Sequence, residues 1–331
     1  MTGVSAARVG RTPLVELDLD VDATVYGKAE WFNGGTTAHG GGSVKTRIGL
    51  AMLQAAETVD GLAPPETVIE ASSGNTGAAV ARFGAARGYD VEIVAPTSAG
   101  AGKVAAMRDA GATVRFVDEE AGYDAFVAEC REVVDAAPDE YYHPDQYRNP
   151  ANPGVHAGTT GPEIWRQTDG EVTAFVAGAG TGGTVVGVGS ALGDRGVDVH
   201  AFEPARADHD VPGLKFMDSP EAFVPRTFQP GVVDTMDALA TETAHEYARR
   251  LRHRHGDEIP IRDPGQWSVS AVRERLRVDG EFLVGPSSAA AAAMVERLAD
   301  RGAVGPEDVV VIPLPDRGDR YPERDIWRDL G

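Results

Sequence analysis

The chain has 331 residues, of which 42% are apolar and 25% are charged. This length and composition allow one or two globular domains with a large core, and they exclude collagen-like, disordered and disulfide-rich proteins. Acidic residues number 51 against 31 basic residues, which gives a formal net charge of -20. Nucleic acids and anionic membranes require a basic surface, so we expect neither as a partner.

The basic residues are almost all arginine. Lysine occurs only at Lys28, Lys45, Lys103 and Lys215. Abundant carboxylates with scarce lysine are typical of proteins from salt-rich cytoplasms, where salt screens the repulsion between surface charges. The composition therefore predicts a halophilic source, with a merely acidic protein as the alternative.

Cys130 is the only cysteine of the chain, so no intrachain disulfide and no thiolate metal cluster can form. Its neighbours are typical of a helix interior, and we expect a buried structural thiol and no metal site. Residues 1–11 carry no apolar signal segment, and the longest uncharged run, residues 172–193, contains seven glycines. We therefore expect a cytoplasmic protein without a membrane span.

Apolar, β-rich runs alternate with amphipathic helical runs along most of the chain, as in a parallel sheet covered by helices. The first series predicts strands at residues 67–70, 90–95 and 113–117 and helices at 77–88, 102–111 and 121–136. The second predicts strands at 174–177, 198–202, 281–284 and 309–312 and helices at 184–192, 235–255, 264–279 and 287–300. Together the two series imply two doubly wound α/β units.

Four segments rich in glycine and hydroxyl side chains lie where a loop meets a predicted helix. They are residues 40–45, 72–77, 178–184 and 285–288. Backbone N–H groups and the helix dipole favour an anion at such a junction. One junction could be turn chemistry alone, but four suggest several anionic groups, such as a cofactor phosphate and a substrate carboxylate.

A dinucleotide site is the first alternative for the glycine loop at residues 178–184. Its glycines follow a strand with the required spacing, and Glu203 lies 20 residues beyond the last of them, where a ribose-binding acid could lie. Against this, Thr181 and Thr184 add hydroxyls that suit a terminal monophosphate. A dinucleotide would also leave Lys45 and the other glycine segments without a role.

Together these motifs resemble the fold-type II pyridoxal-phosphate (PLP) enzymes of the cysteine synthase and cystathionine β-synthase group. The resemblance runs from residues 11–14 to residues 316–321, nearly the whole chain. Residues 43–45 resemble the family's lysine segment, residues 72–77 its substrate loop, residues 180–184 its phosphate cup, and residues 149–152 with His156 and residues 160–164 its central signature.

The resemblance implies two doubly wound open-sheet α/β domains, as in the β subunit of tryptophan synthase, with PLP in the cleft between them. Residues 1–45 and 146–331 would form the large domain, and residues 46–145 a smaller mobile domain. A cytoplasmic homodimer is expected.

The cofactor contacts implied by the family fall on residues of suitable chemistry. Lys45 would hold PLP and later act as the base that removes the substrate Cα proton. Asn75 would bond the ring hydroxyl, and Ser287 would face the ring nitrogen. A hydroxyl leaves that nitrogen largely neutral, which favours elimination and replacement at Cβ over transamination. The phosphate cup would consist of Gly180, Thr181, Gly182, Gly183 and Thr184.

The substrate contacts implied by the family gather at the start of the helix after residue 74. The amino-acid carboxylate would be taken by Ser72, Ser73, Gly74 and Thr76. Gln146 resembles a second carboxylate contact. A helix cap is the structural alternative for Ser72 and Ser73, and a purely structural role remains open for Gln146.

Three departures from the family pattern stand out. The approach to the lysine is stretched over residues 33–43, and Thr46 stands where an aspartate is usual, which leaves the conformation of that loop open. Residues 213–218 and 223–225 replace the glycine-rich loop of ordinary O-acetylserine enzymes. They resemble mycobacterial-type O-phosphoserine sulfhydrylases, in which a basic residue at the position of Lys215 meets the substrate phosphate. A solvated surface lysine is the alternative.

The resemblance implies formation of L-cysteine from sulfide and an activated serine, either O-phosphoserine or O-acetylserine, through an aminoacrylate intermediate. Cystathionine β-synthase, with homocysteine as the nucleophile, and serine or threonine dehydratase are the alternatives within the family. A cup that reads Gly-Thr-Gly-Gly-Thr instead of a tetraglycine argues against the dehydratases. A non-catalytic homologue is a further alternative, but it would be expected to have lost Lys45.

Overall fold

The computed structural model describes residues 8–34, 42–64, 66–118, 125–254, 258–321 and 326, whose strands form a seven-stranded and a four-stranded sheet. The strands are β1 (Leu14–Glu16), β2 (Thr24–Ala29), β3 (Thr67–Ala71), β4 (Asp90–Pro96), β5 (Thr113–Val117), β6 (Tyr141–Tyr142), β7 (Ala174–Gly178), β8 (Asp198–Pro204), β9 (Thr235–Leu239), β10 (Ile261–Asp263) and β11 (Val309–Leu314). The α-helices are α1 (Val44–Ala55), α2 (Asn75–Arg87), α3 (Ala101–Asp109), α4 (Ala125–Ala136), α5 (Ala151–Val155), α6 (Gly161–Gln167), α7 (Gly183–Leu192), α8 (Thr241–Arg254), α9 (Val269–Leu276) and α10 (Pro286–Asp300).

The four-stranded sheet is parallel throughout, in the order β5-β4-β3-β6. The central strands β3 and β4 are mostly buried, whereas the edge strand β5 is mostly exposed. A core cluster joins the inner face of α1 to α2 and this sheet. Apolar strands covered by helices are what a parallel sheet requires, and the first predicted series is confirmed.

The seven-stranded sheet has the order β10-β1-β2-β11-β7-β8-β9. Its five strands from β2 to β9 are parallel, and β1 runs antiparallel to both of its neighbours. Helix α10 carries a run of five alanines, Ala289–Ala293, of which none is more than 3% exposed. Small side chains allow this helix to pack closely on the sheet and on α8. The predicted doubly wound α/β class is confirmed.

Two predicted helices are too long, because the residues at the start of the first pair with the sheet and those at the start of the second form a turn. Residues 235–239 form β9, which pairs with β8 in the register His200↔Thr235 to Pro204↔Leu239, and α8 begins only at Thr241. The helix predicted at 264–279 covers Val269–Leu276 alone, since Ser268 caps it by accepting the Ala271 N–H (3.2 Å). Short edge strands lack the long apolar runs by which sequence reveals a strand.

The strand predicted at residues 281–284 is wrong. That segment makes two isolated bridges, Val278↔Glu281 and Val284↔Arg317, so its apolar side chains mark a buried loop. The helix predicted from residue 121 is described from Ala125 onward, because residues 119–124 lie outside the described residues.

Cys130 lies inside α4 and is 0% exposed, which confirms the buried structural thiol. Burial raises the pKa of this thiol above its ordinary value, and the thiolate is correspondingly disfavoured.

Within the described ranges no helix is long and apolar enough to cross a membrane.

The carboxyl ends of the parallel strands lead into the loops that carry the predicted motifs. β3 runs directly into residues 72–74, β7 into residues 179–182, and β11 into residues 315–317. Ligands of open α/β sheets bind at this edge.

Candidate active site

A cavity of about 370 Å³ lies between the carboxyl ends of the two sheets. It brings together all but one of the residues predicted from the sequence. Those in its wall are Lys45, Ser72, Ser73, Gly74, Asn75, Thr76, Gln146, Gly180, Thr181, Gly182, Thr184, Lys215 and Ser287. The exception, Gly183, begins α7 directly below the wall.

Lys45 is the second residue of α1, and a capping box fixes the start of that helix. The Ser43 hydroxyl oxygen accepts a hydrogen bond from the Lys45 N–H (3.2 Å), and the Thr46 hydroxyl oxygen accepts one from the Ser43 N–H (3.0 Å). Thr46, which departs from the family pattern, therefore serves as the third residue of the box. Of the stretched approach, residues 35–41 lie outside the described residues.

The Lys45 amine is less basic than an ordinary lysine. Burial lowers its pKa to about 8, and the negative charge of Asp316 in the same cavity opposes this shift. A lowered pKa leaves a fraction of the amine neutral near pH 7, and the neutral form is the one that can act as a nucleophile or base.

The loop at residues 72–77 joins β3 to α2. The Ser72 hydroxyl oxygen accepts hydrogen bonds from the Gly74 N–H (3.1 Å) and the Gly77 N–H (2.9 Å). Ser72 therefore helps to cap α2, which was the structural alternative to a substrate contact. The proton of its own hydroxyl group is not used in these two bonds. Ser73 is exposed in the cavity wall.

Gln146 is tied to this loop from the other side. The Thr76 hydroxyl donates to Gln146 Oε1 (2.8 Å), and Gln146 Nε2 donates to the Ala71 carbonyl oxygen (2.8 Å). Both side chains are nearly buried and still line the cavity. The two predicted substrate contacts are thus held next to each other.

The glycine loop before α7 has no room for side chains. A Cβ on Gly180 would lie 1.8 Å from the Gly213 carbonyl oxygen, and one on Gly182, whose φ is +81°, would lie 2.7 Å from Phe228. Glycine at both positions exposes backbone N–H groups at the amino end of a ten-residue helix, where a phosphate is favoured. With Thr181 and Thr184 in the same wall, this donor set fits the phosphate of PLP.

Ser287 lies in the first turn of α10, two residues after Gly285, which precedes the helix. The residue is 9% exposed and lines the cavity, where it supplies a neutral hydroxyl group.

Asn75 also lies in the wall, but here its amide is bonded across the cleft. Its Nδ2 donates to Asp316 Oδ2 (2.6 Å), and Arg320 Nη1 donates to its Oδ1 (2.6 Å). Asp316 is 1% exposed and also accepts from the Tyr321 hydroxyl. Sequence reasoning gave Asp316 no role of its own, although it belongs to the last matching motif.

Lys215 is 7% exposed, which does not fit a solvated surface lysine. Its Nζ lies 5.2 Å from the Tyr147 ring centroid and 5.1 Å from that of Phe223, distances at which a cation is attracted to both aromatic faces. Its backbone N–H donates to the Ala179 carbonyl oxygen (2.9 Å), which fixes this loop against the phosphate cup.

The four lysines share one feature, in that each is either in the cavity wall or fully buried. Lys45, Lys103 and Lys215 line the cavity, and Lys28 is 0% exposed. Lysine is therefore scarce in the sequence because it is absent from the outer surface of the protein. The four lysines that are present lie in the cavity wall or in the core.

A buried cluster of four charges, which the sequence did not reveal, holds α1 through Arg47 and lies outside the cavity wall. The Arg47 guanidinium donates two hydrogen bonds to the Glu30 carboxylate (2.7 and 2.8 Å) and two to the Glu163 carboxylate (2.9 and 2.7 Å). Lys28 Nζ lies 2.8 Å from Glu163 Oε2. Burial alone would raise the pKa of both carboxyls, but the adjacent cations outweigh it and lower both below the ordinary range.

A model of pyridoxal-phosphate-dependent enzymes matches residues 6–316. The chain belongs to this family. The family resemblance seen in the motifs is thereby confirmed.

Individual relatives match over more than nine tenths of their length. Cysteine synthase from Aquifex aeolicus is 33% identical over 329 residues, covering 97% of this chain and 91% of the relative. Cysteine synthase A from Escherichia coli K12 is 32% identical, covering 97% and 94%. The crystal structure of O-acetylserine sulfhydrylase isoform 3 from Entamoeba histolytica superposes with a TM-score of 0.79 at 30% identity, covering 98% and 91%.

Proposed function

We propose that this PLP-family protein forms L-cysteine from an activated serine and sulfide. The observation that carries the proposal is the meeting in one cavity of Lys45, the phosphate-fitting glycine loop and the loop at residues 72–77. Support also comes from the full-length similarity to proteins named cysteine synthase. A hydroxyl at Ser287 agrees with chemistry at Cβ.

Each group has a distinct task in this reaction. Lys45 would hold PLP before the substrate binds, with the phosphate at residues 180–184, and the cofactor would supply the electron sink that makes the substrate Cα proton acidic. Once the substrate amine has taken the place of Lys45 on the cofactor, the freed Lys45 amine, whose pKa burial lowers to about 8, would take that proton. Ser72, Ser73, Gly74, Thr76 and Gln146 orient the substrate carboxylate, while Asn75 and Ser287 contact the ring hydroxyl and nitrogen.

The proposal includes the wider organisation of the molecule. Residues 1–45 with 146–331 form the large domain and residues 46–145 the small one, which is supported by the strands of the four-stranded sheet all lying between residues 67 and 142. The protein is proposed to be a cytoplasmic homodimer of halophilic origin.

A substrate panel tests the function directly. Purified protein loaded with PLP is assayed with O-acetylserine, O-phosphoserine and serine, each with sulfide and with homocysteine. Cysteine formed from an activated serine and sulfide is the expected product. Preference for homocysteine would indicate cystathionine β-synthase, and release of pyruvate without a second nucleophile would indicate a dehydratase. Either of those outcomes contradicts the proposal.

We expect O-phosphoserine to be used at least as well as O-acetylserine, with Lys215 as the reason. A lysine ammonium stabilises a dianionic phosphate and offers little to a neutral acetyl ester. Lys215→Ala should therefore lower kcat/KM for O-phosphoserine by roughly tenfold or more, the size of one charge-assisted contact of about 1.5–3 kcal/mol. Values of kcat/KM for both substrates measure the effect.

The activity of Lys215→Ala with O-acetylserine is the control for its activity with O-phosphoserine. A Lys215→Ala protein impaired equally with both substrates, or a parent protein that ignores O-phosphoserine, would make O-acetylserine the better assignment. Lys215→Arg keeps the charge and should retain most of the activity with O-phosphoserine.

The melting temperature should rise with salt. Surface repulsion follows from the net charge of -20, and the screening length falls from about 10 Å at 0.1 M salt to about 3 Å at 1 M. Thermal unfolding followed between about 0.1 and 2 M KCl measures the effect. A melting temperature that does not change over this range would contradict the halophilic origin.

A further inference from the structure

Two buried polar side chains of the central signature lie directly beneath the phosphate cup. Asn152 and His156 are each 0% exposed. They are four residues apart on the helical segment made of α5 and the following turn, so they project from the same face. That face packs on α7, the helix that begins at the cup.

Asn152 joins the cup to the substrate side of the cavity. Its Nδ2 donates to Thr181 Oγ1 (3.0 Å) and to the Gln146 carbonyl oxygen (2.7 Å). A Cβ on Gly183 would lie 1.9 Å from Asn152 Oδ1, so glycine is needed there for the amide to approach. Because Thr181 Oγ1 is the acceptor in this bond, its own proton is not used by it.

His156 lies between two threonine hydroxyls. Its Nε2 is 3.2 Å from Thr184 Oγ1, and its Nδ1 is 2.9 Å from Thr160 Oγ1. Burial, reinforced by the charge of Arg47, lowers the pKa of His156 to about 3. The ring is therefore neutral at pH 7 and carries a single N–H.

The position of that N–H decides what Thr184 can do. With the proton on Nε2, the ring donates to Thr184 Oγ1, and the Thr184 hydroxyl proton is free to turn toward the cavity. With the proton on Nδ1, Thr184 must donate to the ring and presents only lone pairs, which repel a phosphate. A cup for an anion requires the first arrangement.

Close packing makes these contacts possible. A Cβ on Gly187 would lie 2.2 Å from the Pro153 carbonyl oxygen and 2.6 Å from His156 Cβ. Gly183 and Gly187, one turn apart on α7, thus form the surface against which Asn152 and His156 fit.

We propose that Asn152 and His156 are positioning residues that hold the hydroxyls of Thr181 and Thr184 with their protons directed at a bound phosphate. The inference rests on the proposed function, because the phosphate is that of PLP. Donors fixed before binding need not be ordered when the ligand arrives, so the gain appears as cofactor affinity.

Affinity of the apoprotein for PLP, measured by calorimetric titration, tests this with a double-mutant cycle. His156→Asn keeps a polar group near Nδ1 but cannot reach Thr184, and it should weaken binding about tenfold. Thr184→Val should do the same, and the double variant should be no more than about twofold weaker than the weaker single variant. His156→Gln, whose amide reaches the Nε2 position, should restore most of the affinity.

His200→Leu is the matched control, because His200 is a nearly buried histidine paired with Thr235 Oγ1 (2.8 Å) and is not among the cavity-lining residues. It should bind PLP as the parent does. Additive losses in the cycle, or parental affinity in His156→Asn, would overturn the inference. Should His156→Asn not fold, the cycle of Asn152→Ser with Thr181→Val decides by the same criterion. A parent that does not bind PLP would instead overturn the proposed function.

Discussion

Replacement of Arg47 by methionine should lower the free energy of unfolding by about 3–5 kcal/mol, the cost of leaving buried charges without a partner. Arg47 is 1% exposed and bridges the Glu30 and Glu163 carboxylates. Methionine fills similar space but leaves Lys28 as the remaining cation for two carboxylates. Chemical denaturation at pH 7 measures the loss.

The same cluster predicts how stability depends on pH. The folded protein holds Glu30 and Glu163 ionised with lowered pKa values, whereas the unfolded chain binds protons at an ordinary glutamate pKa of about 4.3. Their contribution is therefore fully present above that pH and is lost as the pH falls toward the folded pKa values. In Arg47→Met this acid-dependent loss should be smaller, since the carboxylates are no longer held ionised.

Arg301→Met is the control for both measurements. Arg301 makes two hydrogen bonds to Asp237 (2.7 and 2.6 Å), but its side chain is 39% exposed. An exposed pair of this kind contributes about 0.2–1 kcal/mol. If Arg47→Met and Arg301→Met lowered the free energy of unfolding equally, the buried cluster would stabilise the protein no more than an exposed ion pair does.

The sequence predicted those site residues whose role is indicated by their immediate neighbours in the chain. The glycine loop at residues 178–184 and the serine loop at residues 72–77 each combine a strand end, small residues and a helix start within a few positions, and the fold places both in one cavity. The family resemblance supplied the connection between them, because spacing alone also allowed a dinucleotide. Where each side chain would point was not visible in the sequence.

The features that sequence reasoning missed depend on long-range contacts. Arg47 and Glu163 are separated by 116 residues, and nothing near either residue marks a buried ion pair. The sequence predicts the start of a helix at β9, because Thr235 and Asp237 are polar and interrupt the apolar run of this edge strand. Only pairing with β8 defines the strand. Asp316 likewise accepts a hydrogen bond from Asn75, which is 241 residues away in the chain.

Replacement of Lys45 by alanine should lower kcat by about a thousandfold or more, because one amine both attaches the cofactor and moves the Cα proton, and proton transfer alone contributes about 10²–10⁴. Rates with the best activated serine and sulfide measure the loss. The variant should keep the parental melting temperature as apoprotein, since Lys45 makes its helix-capping bond through its backbone N–H.

The Lys45→Arg variant separates the positive charge of Lys45 from the ability of its amine to bond the cofactor and to take a proton. Arginine keeps a cation in the cavity, but its pKa lies far above that of lysine and prevents it from giving up a proton, so this variant should be as inactive as Lys45→Ala. In the apoprotein, labelling of Lys45 by an amine reagent should rise with pH with a midpoint near pH 8, because burial lowers the pKa of this amine to about 8 and only the neutral amine reacts. Substantial activity in Lys45→Arg, or a labelling midpoint near that of an ordinary lysine, would remove Lys45 from its assigned role.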